Sequence, residues 1–295
     1  MGRFFILIFI GFYSVTQAHA MIMEAYGDSL TAGLLDYTNI TGKNELEKVS
    51  SILSDLTMFK VTQDRSFLKK HERAEYSWPN LLAQKLTGGS SNIEIRNYAL
   101  TGARTDSLIE EVKKAAITAD TDDVIAFFFI GHNDLCHTKG AAEELKSEFT
   151  SNFFSAIRDW DRKHLGARAY LISVAEVQYL YPVLDGVTWY EGPKAKYRCN
   201  ENWENLFPYC PSFYKKYKDG SLNEYLTPRI KEINGSLNEI VDTMKTESQR
   251  NQYFRLEMTP GAHFKSEFFE VDCYHLSSQG QSFVADQIYQ SMRWQ

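Results

Sequence analysis

The chain has 295 residues, of which 43% are hydrophobic and 24% are charged, and its formal net charge at pH 7 is −6. This composition suits a globular domain with a full core and excludes a collagen, a coiled coil and a wholly disordered chain. Because the net charge is negative, we expect no nucleic-acid partner.

The start of the chain has the pattern of a secretory signal peptide. Arg3 precedes an apolar run over residues 4–13, and residues 18–20 form the Ala-x-Ala pattern of a cleavage site. The alternative is a membrane anchor, but the apolar run is too short to cross a bilayer comfortably. We therefore expect a cleaved signal over residues 1–20 and a single domain over 21–295. The mature protein would be secreted or periplasmic, and its contact with a membrane surface would be peripheral.

Four short apolar runs along the rest of the chain have the length and composition of buried strands. Segments with helical spacing separate them, and two more amphipathic helices are predicted around residues 226–241 and 283–292. This alternation predicts an α/β fold, a three-layer sandwich in which helices flank both faces of a central parallel sheet, as in flavodoxin-like proteins. The four predicted strands cover residues 22–26, 93–97, 124–130 and 170–174.

Residues 176–222 interrupt the alternation with an unusual density of aromatic side chains. This insert predicts either the wall of an apolar substrate site or a satellite core held together by Cys199 and Cys210. Because an exported protein meets an oxidising compartment, we expect disulfides, but the sequence leaves the pairing with Cys136 and Cys273 open. The aromatic residues of the insert include Tyr179, Tyr181, Trp189, Tyr190, Trp203, Phe207, Tyr209 and Phe213.

The strongest functional signal lies where the first predicted strand ends, at Gly27, Asp28 and Ser29. A serine in the first strand-to-helix turn lies at the carboxyl edge of a parallel sheet, where ligands bind. Gly27 permits a tight turn and a close approach of substrate. A helix that begins near Ser29 directs backbone N–H groups towards developing negative charge. Taken alone, this motif is also compatible with an ordinary helix cap.

Three further motifs follow in an order that suits chemistry at the same edge. Residues 97–103 lead from a strand into a helix, and Gly102 offers a bare backbone N–H there. Asn133 follows the third predicted strand and offers a side-chain N–H donor. Asp272 lies three residues before His275, just ahead of the last helix. We expect all four motifs to meet at one edge of the sheet.

In their order and spacing, these four motifs resemble those of the GDSL, or SGNH, hydrolase family, and the resemblance spans nearly the whole chain after residue 20. Within that family the chain is most similar to the phospholipase B branch of secreted lipases. The loop that contains Cys199 and Cys210 adds to this closer likeness. The other segments that carry it are residues 27–33 (GDSLTAG), 77–79 (SWP), 133–136 (NDLC) and 269–275 (FEVDCYH).

The resemblance implies a serine ester hydrolase. Ser29 would be the nucleophile, His275 its general base and Asp272 the acid that orients the imidazole. The oxyanion would be bound by the backbone N–H groups of Ser29 and Gly102 and by the side-chain amide of Asn133. This chemistry needs no metal and no cofactor. It implies a lipid or another ester as the partner and no obligate protein partner.

Three functions stay open on the sequence. The phospholipase B likeness and the aromatic insert favour the release of fatty acids from phospholipids or lysophospholipids. An esterase or deacetylase for small soluble or carbohydrate esters would use the same residues with a more polar pocket. A non-catalytic binding protein on the same fold is the third, although it leaves the presence of all the site residues without a reason.

His132 departs from the family pattern, in which glycine is common at this position. A bulkier side chain beside Asn133 would narrow the site or add a second titrating group. Because polar side chains are mostly exposed, we expect His132 to face solvent instead.

We predict that Asn133→Ala lowers turnover about 10²- to 10³-fold, the usual cost of losing one oxyanion donor. The variant should unfold at the same temperature as the wild-type protein. The measurements are kcat on an ester and a thermal unfolding curve. Near-normal turnover in the folded variant would remove Asn133 from the site.

Overall fold

The computed structural model describes residues 21–33, 74–89, 93–118, 123–137, 140–191, 196–201, 203, 210–258, 264–270 and 272–293. The expected signal peptide lies outside these residues. The strands are β1 Met21–Gly27, β2 Ile93–Asn97, β3 Val124–Phe129, β4 Arg168–Ile172, β5 Thr188–Glu191, β6 Lys196–Arg198 and β7 Gln252–Leu256. The helices are α1 Ser29–Ala32, α2 Trp78–Thr87, α3 Thr105–Lys114, α4 His132–His137, α5 Ala142–Lys163, α6 Leu180–Leu184, α7 Cys199–Glu201, α8 Pro211–Lys218, α9 Leu222–Glu247 and α10 Ser278–Met292.

Five strands form one parallel sheet in the order β2-β1-β3-β4-β7. Each expected strand is present in this sheet, and its observed bounds lie within two residues of the expected ones. Since helices flank this central sheet, the expected three-layer α/β fold is confirmed. All five strands run the same way, so their carboxyl ends lie along a single edge of the sheet.

The side chains of β3 show why helices cover both faces of the sheet. Successive side chains of a strand point to opposite faces. Phe127 and Phe129 accordingly contact Trp78 of α2, whereas Phe128 contacts Trp160 of α5. These rings are all buried, and each contributes about 1.5 to 3 kcal/mol by leaving water. The centre of the core thus lies on the strand that precedes Asn133.

The helices form one layer on each side of the sheet. On the Trp160 side, α3 and α9 each pack against α5, and on the Trp78 side α10 packs against α2. The amphipathic spacing in the sequence predicted α3, α5, α9 and α10. Within the described residues, no helix has both the length and the apolar character needed to span a membrane.

Three of the strands were not expected from the sequence. The edge strand β7 carries Gln252 and Arg255, and only Tyr253 and Leu256 in it are fully buried. A half-covered edge strand lacks the continuous apolar run that identified the central strands. The other two, β5 and β6, form an antiparallel pair inside the insert.

The described aromatic side chains of the insert pack against one another. The ring of Tyr181 contacts those of Trp203, Tyr214 and Tyr217, and Tyr181 and Trp203 are buried. These contacts favour a packed core over a wall that faces substrate. The buried rings are part of the main hydrophobic core of the domain and do not form a separate satellite core. Of the other aromatic residues, Phe213 is buried, Tyr179 is 37% exposed, Trp189 and Tyr190 belong to β5, and Phe207 and Tyr209 lie outside the described residues.

The disulfides join the insert to other parts of the domain. Cys136 pairs with Cys210, and Cys199 pairs with Cys273, and in each case the partners are 74 positions apart in the sequence. The sequence leaves the pairing open, and the structure has no disulfide between Cys199 and Cys210, so no disulfide closes the insert on itself. The folded chain instead brings α4 and the loop before α10 against the insert, so each of its cysteines meets a thiol from a distant segment.

Glu24 of β1 is the centre of a buried polar cluster below the nucleophile turn. Oε2 of the fully buried Glu24 accepts hydrogen bonds from the Tyr26 hydroxyl at 2.7 Å and the Trp160 indole at 3.0 Å. Nε2 of His164 lies 3.2 Å from the same oxygen. Burial by itself raises the pKa of Glu24. The hydrogen bond and charge of His164, with the bonds from Tyr26 and Trp160, outweigh burial and hold that pKa below its ordinary value.

We predict a pH-dependent stability from Glu24. A pKa lowered by folding adds stability that is fully present above the unfolded-state value and is lost as pH falls through the folded-state value. Glu24→Gln should therefore lower the free energy of unfolding by about 3 kcal/mol at pH 7 and by less near pH 3. Urea unfolding at both pH values measures this, with Glu94→Gln at an exposed position of β2 as the control. Equal losses at both pH values would contradict an ionised Glu24.

Candidate active site

Ser29 lies at the carboxyl edge of the sheet, as the sequence predicts. β1 ends at Gly27, and Asp28 caps α1 by accepting the backbone N–H of Leu30 at 3.0 Å, so that Ser29 is the first helical residue. A side chain at Gly27 would overlap the carbonyl oxygen of Phe129 in the neighbouring strand. Only glycine therefore lets the chain turn this close to β3.

The structure brings Ser29, His275 and Asp272 into one hydrogen-bonded chain. Nε2 of His275 lies 2.9 Å from Oγ of Ser29, and Nδ1 lies 2.5 Å from Oδ2 of Asp272. Asp272 is fully buried, and Ser29 and His275 are 6% and 3% exposed. Because the carboxylate accepts the Nδ1–H, a neutral imidazole turns its Nε2 lone pair to the serine hydroxyl. This arrangement can take a proton from Ser29.

The three-residue spacing of Asp272 and His275 follows from the local turn. Oδ1 of Asp272 accepts the backbone N–H groups of Tyr274 at 3.1 Å and of His275 at 3.0 Å, which closes an Asx turn. A β-bridge between Phe269 and Leu276 closes the base of the loop. One carboxylate thus fixes both the backbone and the imidazole of this loop.

Gly102 and Asn133 follow the two strands that flank β1. The Leu100 N–H donates to the last carbonyl of β1 at 3.0 Å, and the Asn133 amide donates to the Ala103 carbonyl at 2.9 Å. The three loops are therefore bonded side by side. The backbone N–H groups of Ser29 and Gly102 donate to no other residue that the structure describes. The side-chain amide of Asn133 has a second hydrogen that the bond to Ala103 does not use. Each of the three expected oxyanion donors therefore has one N–H that can bind an oxyanion.

The sequence did not identify the residues that hold the nucleophile turn from behind. Gln281 of α10 accepts the Trp78 N–H at 2.9 Å and donates to the Leu30 carbonyl at 3.0 Å. Asn97 donates to the Thr31 carbonyl at 2.8 Å. In the sequence, the one indication of a role for Gln281 is that this polar residue lies in line with the apolar stripe of the amphipathic helix α10.

His132 is buried, and the expectation that it faces solvent is wrong. Its side chain is only 3% exposed and lies beside Asp28. Gly131 has a φ of 128°, and the chain turns from β3 into α4 there. This turn directs His132 towards β1 and away from solvent.

Asp134, next to Asn133 in α4, binds the start of α3. Its carboxylate accepts the backbone N–H of Thr105 at 3.1 Å and the Thr105 hydroxyl at 2.5 Å. Burial raises the pKa of Asp134 to about 6, although the bonds from Thr105 oppose the shift.

Across the described residues, no three His, Cys, Asp or Glu side chains are grouped to hold a metal ion.

The insert braces the loop that carries the imidazole. Cys273 lies in this loop, and its partner Cys199 lies in the insert. The Trp203 indole N–H donates to the Cys273 carbonyl at 3.2 Å, and the Tyr274 hydroxyl lies 3.4 Å from Sγ of Cys210. Contacts from the insert thus hold the two residues that precede His275.

A comparison with protein-family models identifies the family of this chain. The family model described as GDSL-like Lipase/Acylhydrolase matches residues 23–288. Since the match covers most of the chain, the protein belongs to the GDSL-like lipase/acylhydrolase family. The matched range includes every residue of the candidate site. No curated protein sequence matches this chain significantly.

Several solved structures are similar to this fold. The extracellular lipase of Streptomyces rimosus is 12% identical, with a TM-score of 0.46 over 92% of this chain and 100% of that one. The psychrotrophic esterase EstA of Pseudoalteromonas sp. is 13% identical, with a TM-score of 0.44 over 92% and 97%. A family two carbohydrate esterase of Clostridium thermocellum is 12% identical, with a TM-score of 0.50 over 94% and 64%. At these identities the likeness concerns the fold alone.

We predict that non-reducing peptide mapping finds Cys136 linked to Cys210 and Cys199 linked to Cys273. Replacing Cys199 and Cys273 together with serine should lower the free energy of unfolding by about 4 kcal/mol, because the bond closes a long loop in the unfolded chain. Urea unfolding measures this loss. A peptide that links Cys199 to Cys210 would contradict the pairing.

Proposed function

We propose that this protein hydrolyses carboxylic esters with Ser29 as the nucleophile. The observation that carries the proposal is the chain of hydrogen bonds from Asp272 through His275 to Ser29, at 2.5 and 2.9 Å. Membership of the GDSL-like lipase/acylhydrolase family supports it independently.

In the first half of the reaction, Oγ of Ser29 attacks the ester carbonyl while Nε2 of His275 takes the hydroxyl proton. Asp272 stabilises the imidazolium that forms. The carbonyl oxygen becomes an oxyanion, which the N–H groups of Ser29, Gly102 and Asn133 bind. The bond to the alcohol then breaks, His275 returns its proton to the alcohol, and an acyl group stays on Ser29.

In the second half, water replaces the alcohol. His275 takes a proton from the water as its oxygen attacks the acyl carbonyl, and the same donors bind the second oxyanion. The bond to Ser29 breaks, the proton returns to Oγ, and the carboxylic acid leaves. The residues end in their starting protonation states, so no cofactor takes part.

For the substrate we propose phospholipids or lysophospholipids, from which the enzyme releases fatty acids. The support is the likeness to the phospholipase B branch in residues 27–33, 133–136 and 269–275. The first twenty residues and the two disulfides support export, and we propose that residues 21–295 form one exported hydrolase domain.

A second candidate is an esterase or deacetylase for small soluble or carbohydrate esters. The observation that favours it is the burial of Tyr181, Trp203 and Phe213, since these rings expose almost no surface that an acyl chain could contact. One similar structure is described as a family two carbohydrate esterase. The assay also covers the third function that the sequence leaves open, a non-catalytic binding protein.

The test measures product release from diacyl phosphatidylcholine, lysophosphatidylcholine, a short-chain ester and an acetylated sugar. We predict that Ser29→Ala lowers release by more than about 10³-fold. Ser155→Ala, at an exposed position of α5, is the matched control and should keep wild-type rates. An organophosphonate should add its mass to Ser29 in the wild-type protein and not in Ser29→Ala.

The outcomes separate the candidate functions. Ser29-dependent release from either long-chain lipid supports the phospholipase proposal. Cleavage of the short ester or the acetylated sugar alone replaces it with the second candidate. No Ser29-dependent turnover and no phosphonate label would leave a binding protein and end the hydrolase proposal.

A further inference from the structure

His132 and Asp28 form a second buried carboxylate–imidazole pair beside the candidate site. Nδ1 of His132 lies 3.4 Å from Oδ2 of Asp28, and the side chains are 3% and 1% exposed. Neither of these two atoms has a hydrogen-bond partner among the described residues. Burying a polar atom costs free energy unless another group satisfies it. The two atoms lie close together without forming a hydrogen bond in this structure, and a small rotation of either side chain would let the Nδ1–H donate to Oδ2.

The second ring nitrogen decides which tautomer His132 adopts. The backbone N–H of Ala175, in the loop after β4, donates to Nε2 of His132 at 3.3 Å. Nε2 must therefore offer its lone pair. Since a neutral imidazole has one N–H, the proton lies on Nδ1 and faces the Asp28 carboxylate.

Tight packing fixes the position of the His132 ring. At Gly131, a Cβ would lie 2.7 Å from Cγ2 of Val174 and 3.1 Å from Cε2 of Phe149, so the backbone before His132 fills its space. Phe129 packs edge-on against the imidazole, with 5.0 Å between the ring centroids. The ring is therefore held with Nδ1 beside the Asp28 carboxylate.

Asp28 carries this constraint into the nucleophile turn. Its Oδ1 accepts the Leu30 N–H at 3.0 Å, and its carbonyl accepts the N–H groups of Thr31 and Ala32 at 3.1 and 3.0 Å. Because α1 has only four residues, the three bonds to Asp28 fix its first turn, while Gln281 and Asn97 bind its carbonyl groups. Without His132, the Asp28 carboxylate would be held by the helix alone.

We propose that His132 is a positioning residue for the ester hydrolysis proposed above. Its neutral Nδ1–H imidazole holds Asp28, and through Asp28 it fixes the direction of the Ser29 hydroxyl. The inference rests on the proposed function because its effect is on turnover. It goes beyond the family pattern, since glycine is common at the position of His132.

The first test is the tautomer of His132 in the full chain labelled with ¹⁵N-histidine. A long-range ¹H–¹⁵N spectrum distinguishes a protonated from an unprotonated ring nitrogen, and the signal missing from His132→Gln assigns the residue. We expect Nδ1 to be protonated and Nε2 to be unprotonated. An Nε2–H tautomer would overturn the proposed contact whatever the protein catalyses.

The second test separates the two hydrogen bonds of His132 by kinetics. His132→Gln can still accept the Ala175 N–H but has no donor at the Nδ1 position, whereas His132→Asn keeps a donor there. We expect kcat to fall about 10- to 100-fold in His132→Gln with KM within about twofold, and to stay within about threefold in His132→Asn. His137→Gln, at the exposed end of α4, should match the wild-type protein.

Asp28→Asn provides a second route to the same contact. Its side chain can still cap α1, but its amide presents N–H groups to the His132 Nδ1–H. The double variant combines Asp28→Asn with His132→Gln. If His132 acts through Asp28, the fall in kcat of the double variant should exceed the larger fall of the two single variants by no more than about twofold. A thermal unfolding curve for each variant confirms that it is folded.

The outcomes of the kinetic test are distinct. An active wild-type protein together with wild-type kcat in folded His132→Gln would overturn the inference and leave the hydrolase proposal standing. Losses that multiply in the double variant would also overturn it. An inactive wild-type protein would instead end the proposed function, and with it any role of His132 in turnover.

Discussion

The hydrogen bond between the Ser29 hydroxyl and the His275 imidazole joins residues 246 positions apart in the sequence, and much of the fold limits where its two ends can move. At one end, Gly27 allows the chain to turn against β3, and Asp28 caps the helix that Ser29 begins. At the other end, an Asx turn from Asp272 fixes the imidazole. A displacement of about 1 Å in a reacting group can cost about 100-fold in rate, so both ends need this support.

Three buried carboxylate–imidazole pairs recur in the domain, and in each a second contact determines what the imidazole does. In each histidine, one ring nitrogen faces the carboxylate and the other makes the second contact. In His275 this other nitrogen lies 2.9 Å from the Ser29 hydroxyl oxygen and can accept its proton. In His132 the other nitrogen accepts the backbone N–H of Ala175. In His164 the other nitrogen lies 2.8 Å from the Trp160 carbonyl oxygen, which can only accept a hydrogen bond, so that nitrogen carries a proton. A carboxylate paired with an imidazole therefore supports the reacting serine, the nucleophile turn and the core in turn.

The insert shows how tertiary contacts changed the meaning of a clear sequence pattern. Its density of aromatic residues is compatible with a substrate wall or a satellite core, yet Tyr181 and Trp203 pack into the main core of the domain. Its two cysteines are close in sequence, yet Cys210 pairs with Cys136 of α4 and Cys199 pairs with Cys273 of the loop that carries His275. The insert therefore braces α4, which carries Asn133, and the loop that carries His275.

The central strands, the main helices and the four motifs of the candidate site could be predicted from the sequence, because they depend on local periodicity and on parallel strands sharing one carboxyl edge. The edge strand β7 could not, since a half-covered strand has no continuous apolar run. The disulfide pairing, the burial of His132 and the contacts of Gln281 became known from the folded structure alone. Those features depend on which segments meet in space, and separation along the chain carries no information about that.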